Sequence, residues 1–104
     1  MPTPYVMLKT ALDGGDLERV LQIARAVGRV RLDDALRIVL LLRDREEARY
    51  EAACVRWVGR FAIEARGVTL DDVRIAVAAL DELPIEPEAS MARLQALCVA
   101  RGVG

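Results

Sequence analysis

The sequence predicts an all-α protein of six helices, and three observations lead to this prediction. Helix-forming residues dominate the 104-residue chain, and no segment has the alternating β-branched pattern of a strand. Apolar residues recur at three- and four-residue spacing, which places them on one face of a helix. Gly, Pro and acidic residues divide the apolar segments at positions typical of helix ends. We expect a single helical domain over residues 1–104, either a six-helix bundle or a short stack of helical hairpins.

The first two helices are predicted over residues 4–13 and 16–28. Thr3 is the expected N-cap of the first, and Pro4 suits its first helical position, where a missing N–H costs nothing. Asp16 is the expected N-cap of the second helix, and Gly28 ends it. The predicted inner face of the first helix consists of Tyr5, Leu8 and Leu12. That of the second consists of Leu17, Val20, Leu21, Ala24 and Val27.

The third and fourth helices are predicted over residues 32–43 and 45–66. Residues 38–42 make the third helix apolar around most of its circumference, so we expect it to be central. Asp44 and Glu47 have the spacing of a capping box, which predicts a turn before the fourth helix. The apolar stripe of that helix is formed by Tyr50, Cys54, Trp57, Phe61 and Ala65. We expect Trp57, Phe61, Leu40 and Leu80 to be buried.

The fifth and sixth helices are predicted over residues 70–82 and 88–101. Thr69 and Asp72 form a second capping-box pattern, and Pro87 suits a first helical position. The expected inner face of the fifth helix comprises Val73, Ala76, Val77 and Leu80. That of the sixth comprises Met91, Leu94, Leu97 and Cys98.

A short motif occurs twice, 38 residues apart. Residues 30–34 read Val-Arg-Leu-Asp-Asp, and residues 68–72 read Val-Thr-Leu-Asp-Asp. A helical repeat of about 38 residues is one interpretation. The other is convergent capping, because acidic residues near a helix N-terminus are favoured by the helix dipole. The sequence leaves both open.

The composition argues against an enzyme. The chain has no His, one Ser and one Lys, and no GxSxG, P-loop or GxGxxG motif occurs. The doublets at residues 33–34 and 71–72 are interpreted as helix-capping acids rather than metal ligands. We predict no catalytic residue, no cofactor and no metal.

The sequence also favours a cytoplasmic protein with no role in a membrane. Every apolar run of the chain, residues 38–42 included, is far shorter than the roughly 20 residues that cross a bilayer. The N-terminal residues lack the pattern of a secretory signal. Cys54 and Cys98 have neither CxxC spacing nor a His partner, so we expect free thiols.

Four arginines form the most distinctive surface pattern. At about 100° per residue, a continuous helix brings Arg45, Arg49, Arg56 and Arg60 within an arc of about 60°. A solvated face is one interpretation, because exposed ion pairs are common and weak. The other is a surface that binds phosphates or an acidic partner. These four arginines are the predicted partner-binding residues.

We therefore expect a non-enzymatic protein interaction module, either an adaptor or a self-associating subunit, that binds through exposed helix faces. Residues 1–31 carry a net charge of +2 and residues 67–104 carry −3, so we expect either head-to-tail homo-oligomers or a partner engaged by opposite faces. The alternative is a DNA-associated regulator whose helix-turn-helix-like hairpins contact phosphates through the arginines. Nucleic acid is the less favoured partner, because the helices after both Gly turns begin with two acids.

Overall fold

The computed structural model describes residues 2–103, which contain six helices and no strand. They are α1 (Pro4–Gly14), α2 (Leu17–Val27), α3 (Leu32–Leu42), α4 (Glu47–Glu64), α5 (Leu70–Glu82) and α6 (Pro87–Ala100). The all-α prediction is confirmed. Within these residues, no helix is both long and apolar enough to cross a membrane.

Three of the predicted caps are present. The Thr3 and Asp16 side chains accept hydrogen bonds from the backbone N–H groups of Val6 and Arg19. Thr69 and Asp72 complete a reciprocal capping box at α5, with the Asp72 carboxylate accepting from the Thr69 N–H at 2.9 Å. These contacts satisfy N–H groups that have no partner inside a helix.

The predicted cap at Asp44 is wrong, and α4 begins later than expected. Its N-cap is Glu46, whose side chain makes no capping bond. Residues 43–45 instead form a turn in which the Arg45 N–H donates to the Leu42 carbonyl at 3.0 Å. The Asp44 carboxylate lies 3.8 Å from Arg43, on the exposed side of that turn. Arg45 is therefore outside α4.

Four helices form a closed ring around the larger core. Contacts join α3 to α4, α4 to α5, α5 to α6, and α6 back to α3. The buried residues of this core come from those four helices, with Leu17 of α2 and Leu83 after α5. The α1–α2 hairpin packs against α3 and encloses a second, smaller core. Ile38 and Leu41 of α3 contact both cores, so the prediction that the apolar third helix is central is confirmed.

The aromatic residues of α4 belong to the larger core. Trp57 and Phe61 are buried and stacked, with ring centroids 5.5 Å apart. The Trp57 indole N–H donates to the Leu32 carbonyl of α3 at 3.0 Å. Leu80 is buried as predicted, whereas Leu40 is only half-buried. Leu40 lies about 100° around α3 from the buried Val39, which places it at the flank of the core.

The repeated motif occupies two different environments. Leu32 is 3% exposed and Leu70 is 72% exposed, although they occupy the same position in the motif. Val39 is 3% exposed, whereas its counterpart Val77 is 45% exposed. The prediction that Val77 faces inward is therefore wrong. In α3 these apolar residues are covered by neighbouring helices, and in α5 they face solvent.

Candidate functional site

The structure separates the four predicted arginines into three environments. Arg49 and Arg56 are exposed on α4 and form neither an ion pair nor a hydrogen bond with residues 2–103. Arg60 is held in place, because it donates to Glu64 at 2.7 Å and to the Val30 carbonyl at 2.6 Å. Arg45 lies in the turn before α4, so the predicted ridge of four residues on one helix is wrong at its first member. Arg49 and Arg56 are therefore the two arginines of α4 whose side chains have no partner among residues 2–103.

Arg56 borders an apolar hollow between α2 and α4. The hollow has a volume of about 190 Å³, and α3 forms most of its floor. Val39, Leu42 and Trp57 are buried there, whereas Leu21 and Ile38 are only half-buried and present apolar surface. The complete lining is Leu21, Ala35, Ile38, Val39, Leu42, Ala53, Arg56, Trp57 and Arg60. An apolar floor beside an unpaired cation is a surface that can bind an amphipathic partner.

Arg49 borders a second hollow that adjoins the first at Leu21. This hollow is about 590 Å³ and is lined by Asp16, Glu18, Arg19, Leu21, Gln22, Arg25 and Arg49. We refer to the two hollows together as the α2–α4 groove. Five arginines and two carboxylates line it, so its charge is positive. Asp16 is already engaged as the N-cap of α2.

The opposite flank of α4 has the reverse charge. A cavity of about 370 Å³ between α4 and α5 is lined by Glu47, Tyr50, Glu51, Cys54, Val55, Val58, Val77, Leu80 and Asp81. The Tyr50 hydroxyl donates to the Leu80 carbonyl at 2.6 Å, which ties α4 to α5. Burial, followed by the hydrogen bond with Cys54, raises the pKa of Tyr50 well above its ordinary value. Burial also raises the pKa of the Cys54 thiol, and the charges of Asp81 and Glu51 add to this effect.

The second Asp of each acidic doublet is buried and lies beside a cation from a distant helix or helix end. Lys9 of α1 donates to Asp34 of α3 at 2.6 Å. The Arg101 Nε atom lies 2.8 Å from Asp72, but without the alignment of a hydrogen bond. The hydrogen bond from the Thr69 N–H is the main cause of a lowered pKa of Asp72, and Arg101 contributes. Both doublets are thus engaged in structural contacts.

Among residues 2–103, no group of three or more His, Cys, Asp or Glu side chains is close enough to hold a metal ion.

Sequence reasoning did not find the α2 side of the groove. Gln22 and Arg25 face the groove from α2, together with Leu21, which was assigned to the core but is only half-buried. The available signal was the spacing of Leu21 and Arg25, since residues four apart share a helix face. The pairing of Lys9 with Asp34 was also missed, although Lys9 is the only lysine in the chain.

Comparisons of this chain with protein-family models, with curated proteins and with solved structures found no match.

Proposed function

We propose that this protein is a non-enzymatic interaction module that binds an acidic amphipathic helix of a partner protein in the α2–α4 groove. The cytoplasmic location expected from the sequence is part of this proposal. The observation that carries it is that Arg56 borders the apolar hollow and Arg49 borders the polar hollow that adjoins it at Leu21, while neither guanidinium group has a partner among residues 2–103.

The chemistry of the groove favours an acidic helix over other ligands. Half-buried Leu21 and Ile38 gain from being covered by apolar side chains of a partner. Arg49 and Arg56 remain charged at every physiological pH and make paired hydrogen bonds to carboxylates. A helix with apolar residues at positions i, i+3, i+4 and i+7 and carboxylates on its flanks satisfies both requirements.

A DNA-binding role has less support from the surface charges. In a helix-turn-helix hairpin, the first turn of the second helix faces bases and phosphates. The first turn of α3 carries Asp33 and Asp34, and that of α5 carries Asp71 and Asp72. The nearest basic residue on α5, Arg74, is paired with Asp71 at 2.8 Å, so this turn has no excess positive charge to attract the phosphate backbone.

A designed peptide tests the proposal. The probe is a helical peptide of about 20 residues with Leu at the anchor positions and Glu on the flanks, since a helix of that length spans about 30 Å. One control peptide has Lys in place of Glu, and another has Ser in place of Leu. Binding is followed by anisotropy of a dye on the peptide. The emission of Trp57, the only tryptophan in the chain, reports from the groove floor.

Wild-type protein should bind the acidic peptide in preference to both controls, and added salt should weaken the complex. The Arg49→Glu/Arg56→Glu double variant should lose about tenfold or more in affinity, because it places like charges opposite each other. The matched control is Arg29→Glu/Arg66→Glu, which changes the same number of exposed arginines outside both hollows and should bind as wild type does. Equal affinity for the Glu and Lys peptides, or unchanged affinity in the groove variant, would overturn the proposal. So would tighter binding of a DNA duplex than of the acidic peptide.

A further inference from the structure

The exposed face of α5 is itself acidic and apolar. Leu70, Ile75 and Val77 are 72%, 48% and 45% exposed, and Ala78 is exposed beside them. The same face carries the carboxylates of Asp71, Asp81 and Glu82, of which Glu82 pairs with Arg93 of α6 and Asp81 has no ion-pair partner among residues 2–103. At about 100° per residue these side chains lie within an arc of about 160°. Arg74 is the one basic residue of α5, and it is paired with Asp71 at 2.8 Å.

The repeated motif indicates that this face lacks a cover. The leucine and valine that α5 exposes, Leu70 and Val77, correspond to Leu32 and Val39 of α3, which are buried against neighbouring helices. Exposed apolar side chains grouped on one face are a common feature of binding surfaces. In α5 they are accompanied by three carboxylates, which is the chemistry that the α2–α4 groove requires.

We propose that the helix that occupies the α2–α4 groove is α5 of a second copy of this chain. This inference rests on the proposed function, and it names the partner. Leu70 and Val77 of one copy cover the apolar floor of the next copy, while Asp81 and Glu82 face Arg49 and Arg56, and Glu82 gives up its contact with Arg93 of its own copy.

The fold prevents a chain from filling its own groove. Within one copy α5 packs against α4 and α6, whereas α2 packs against α1 and α3, so α5 and the groove lie on opposite flanks of α4. Contact between them therefore requires two molecules. Such a contact is head-to-tail and leaves one free groove and one free α5 face at the ends, so copies continue to add unless a ring closes.

The mass of the full-length protein in solution, measured by sedimentation velocity over a range of micromolar concentrations, tests this arrangement. Wild-type protein should form assemblies that grow with concentration and dissociate as salt is added. The Arg49→Glu/Arg56→Glu variant reverses the two positive charges of the groove. The Leu70→Ser/Val77→Ser variant replaces the apolar side chains of the α5 face. Each variant alone should be a monomer. An equimolar mixture should form a 1:1 dimer and no larger species, because it contains one intact groove and one intact α5 face.

The matched control for the α5 variant is Ile63→Ser/Val99→Ser, since both side chains are highly exposed but lie on α4 and α6. It should assemble as wild type does. The inference is overturned if wild-type protein remains monomeric, if Leu70→Ser/Val77→Ser assembles normally, or if the mixture does not dimerise. The peptide assay separates this failure from failure of the proposed function. If the protein is monomeric but binds the acidic peptide, the proposed function stands and the partner is a different protein. If the protein neither assembles nor binds the peptide, both proposals are wrong.

Discussion

The buried contact between Lys9 and Asp34 should contribute strongly to stability, because it joins the α1–α2 hairpin to α3. Asp34 is 1% exposed, and one of its carboxylate oxygens accepts from the Lys9 ammonium at 2.6 Å. The other oxygen has no hydrogen-bond partner among residues 2–103. If Lys9 is replaced by Met, the carboxylate loses the ammonium group that donates to it while it remains buried.

The expected loss can be worked out from this geometry. Removing one member of a buried ion pair costs about 3–5 kcal/mol. The Lys9 side chain is 37% exposed, so water already screens part of the contact and we expect a loss near the lower limit, about 3 kcal/mol. A chain of this length has a total stability of about 5–15 kcal/mol, so the loss is a large share of it. The melting temperature should fall by about 12–24 °C.

Urea unfolding of wild-type protein and the Lys9→Met variant measures this loss. Circular dichroism follows all six helices, and Trp57 fluorescence follows the four-helix ring. Noncoincident curves from the two probes would show that the α1–α2 hairpin separates from α3 before the ring unfolds.

Two further variants test whether the loss of stability comes from a buried carboxylate that has lost its cation. Lys9→Met/Asp34→Asn should be more stable than Lys9→Met alone, because it leaves no ionised group buried without a partner. The matched control is Arg37→Met, which breaks the more exposed pair between Arg37 and Asp13, also between α3 and α1 at 2.9 Å. It should cost about 1 kcal/mol or less. Lys9→Met should lower the free energy of unfolding more than Arg37→Met does, and the double variant should recover part of that loss. Either result in the opposite direction would show that Lys9→Met does not leave a buried charge without a partner.

Two more predictions concern the larger core. Trp57→Ala should lower the free energy of unfolding by about 3–5 kcal/mol, measured by urea denaturation, because it empties a buried site and removes the hydrogen bond to the Leu32 carbonyl. A loss below about 1 kcal/mol would contradict the assignment of Trp57 to the core. Burial raises the pKa of the Cys98 thiol from 9.0 to about 11, so the folded state keeps a proton that the unfolded state loses. Stability should therefore fall by about 2–3 kcal/mol between pH 9 and 11, and a Cys98→Ala variant should show a smaller fall in the same titration.

Local patterns predicted the helices well because their ends depend on neighbouring residues. The N-caps at Thr3 and Asp16 and the capping box at Thr69 and Asp72 involve contacts within three residues, so the sequence contains all the information they need. Asp44 has the same spacing, but its turn is closed by backbone bonds to α3, and the side chain pairs with Arg43 instead. A pattern over four residues cannot distinguish these two outcomes.

The candidate site was predicted only in part, for the same reason. The positions of Arg49 and Arg56 on one face of α4 follow from helical spacing, and the sequence alone identified both. Arg60 occurs in the same pattern, but the carbonyl of Val30 holds it, and Val30 is 30 residues away. The α2 side of the groove depends on how α2 and α4 are placed on α3, which no single helix encodes.

By itself, the sequence determined the six helices, their main caps, the central apolar helix and the burial of Trp57 and Phe61, because each of these depends on spacing within one helix or on total apolar content. Only the tertiary structure decided which copy of the repeated motif is covered. Leu32 and Leu70 share the motif Val-x-Leu-Asp-Asp, yet one is buried in the ring and the other is exposed on its outside. The reason is that burial depends on which helices are adjacent in space. In this fold α3 packs against four other helices, whereas α5 packs mainly against α4 and α6.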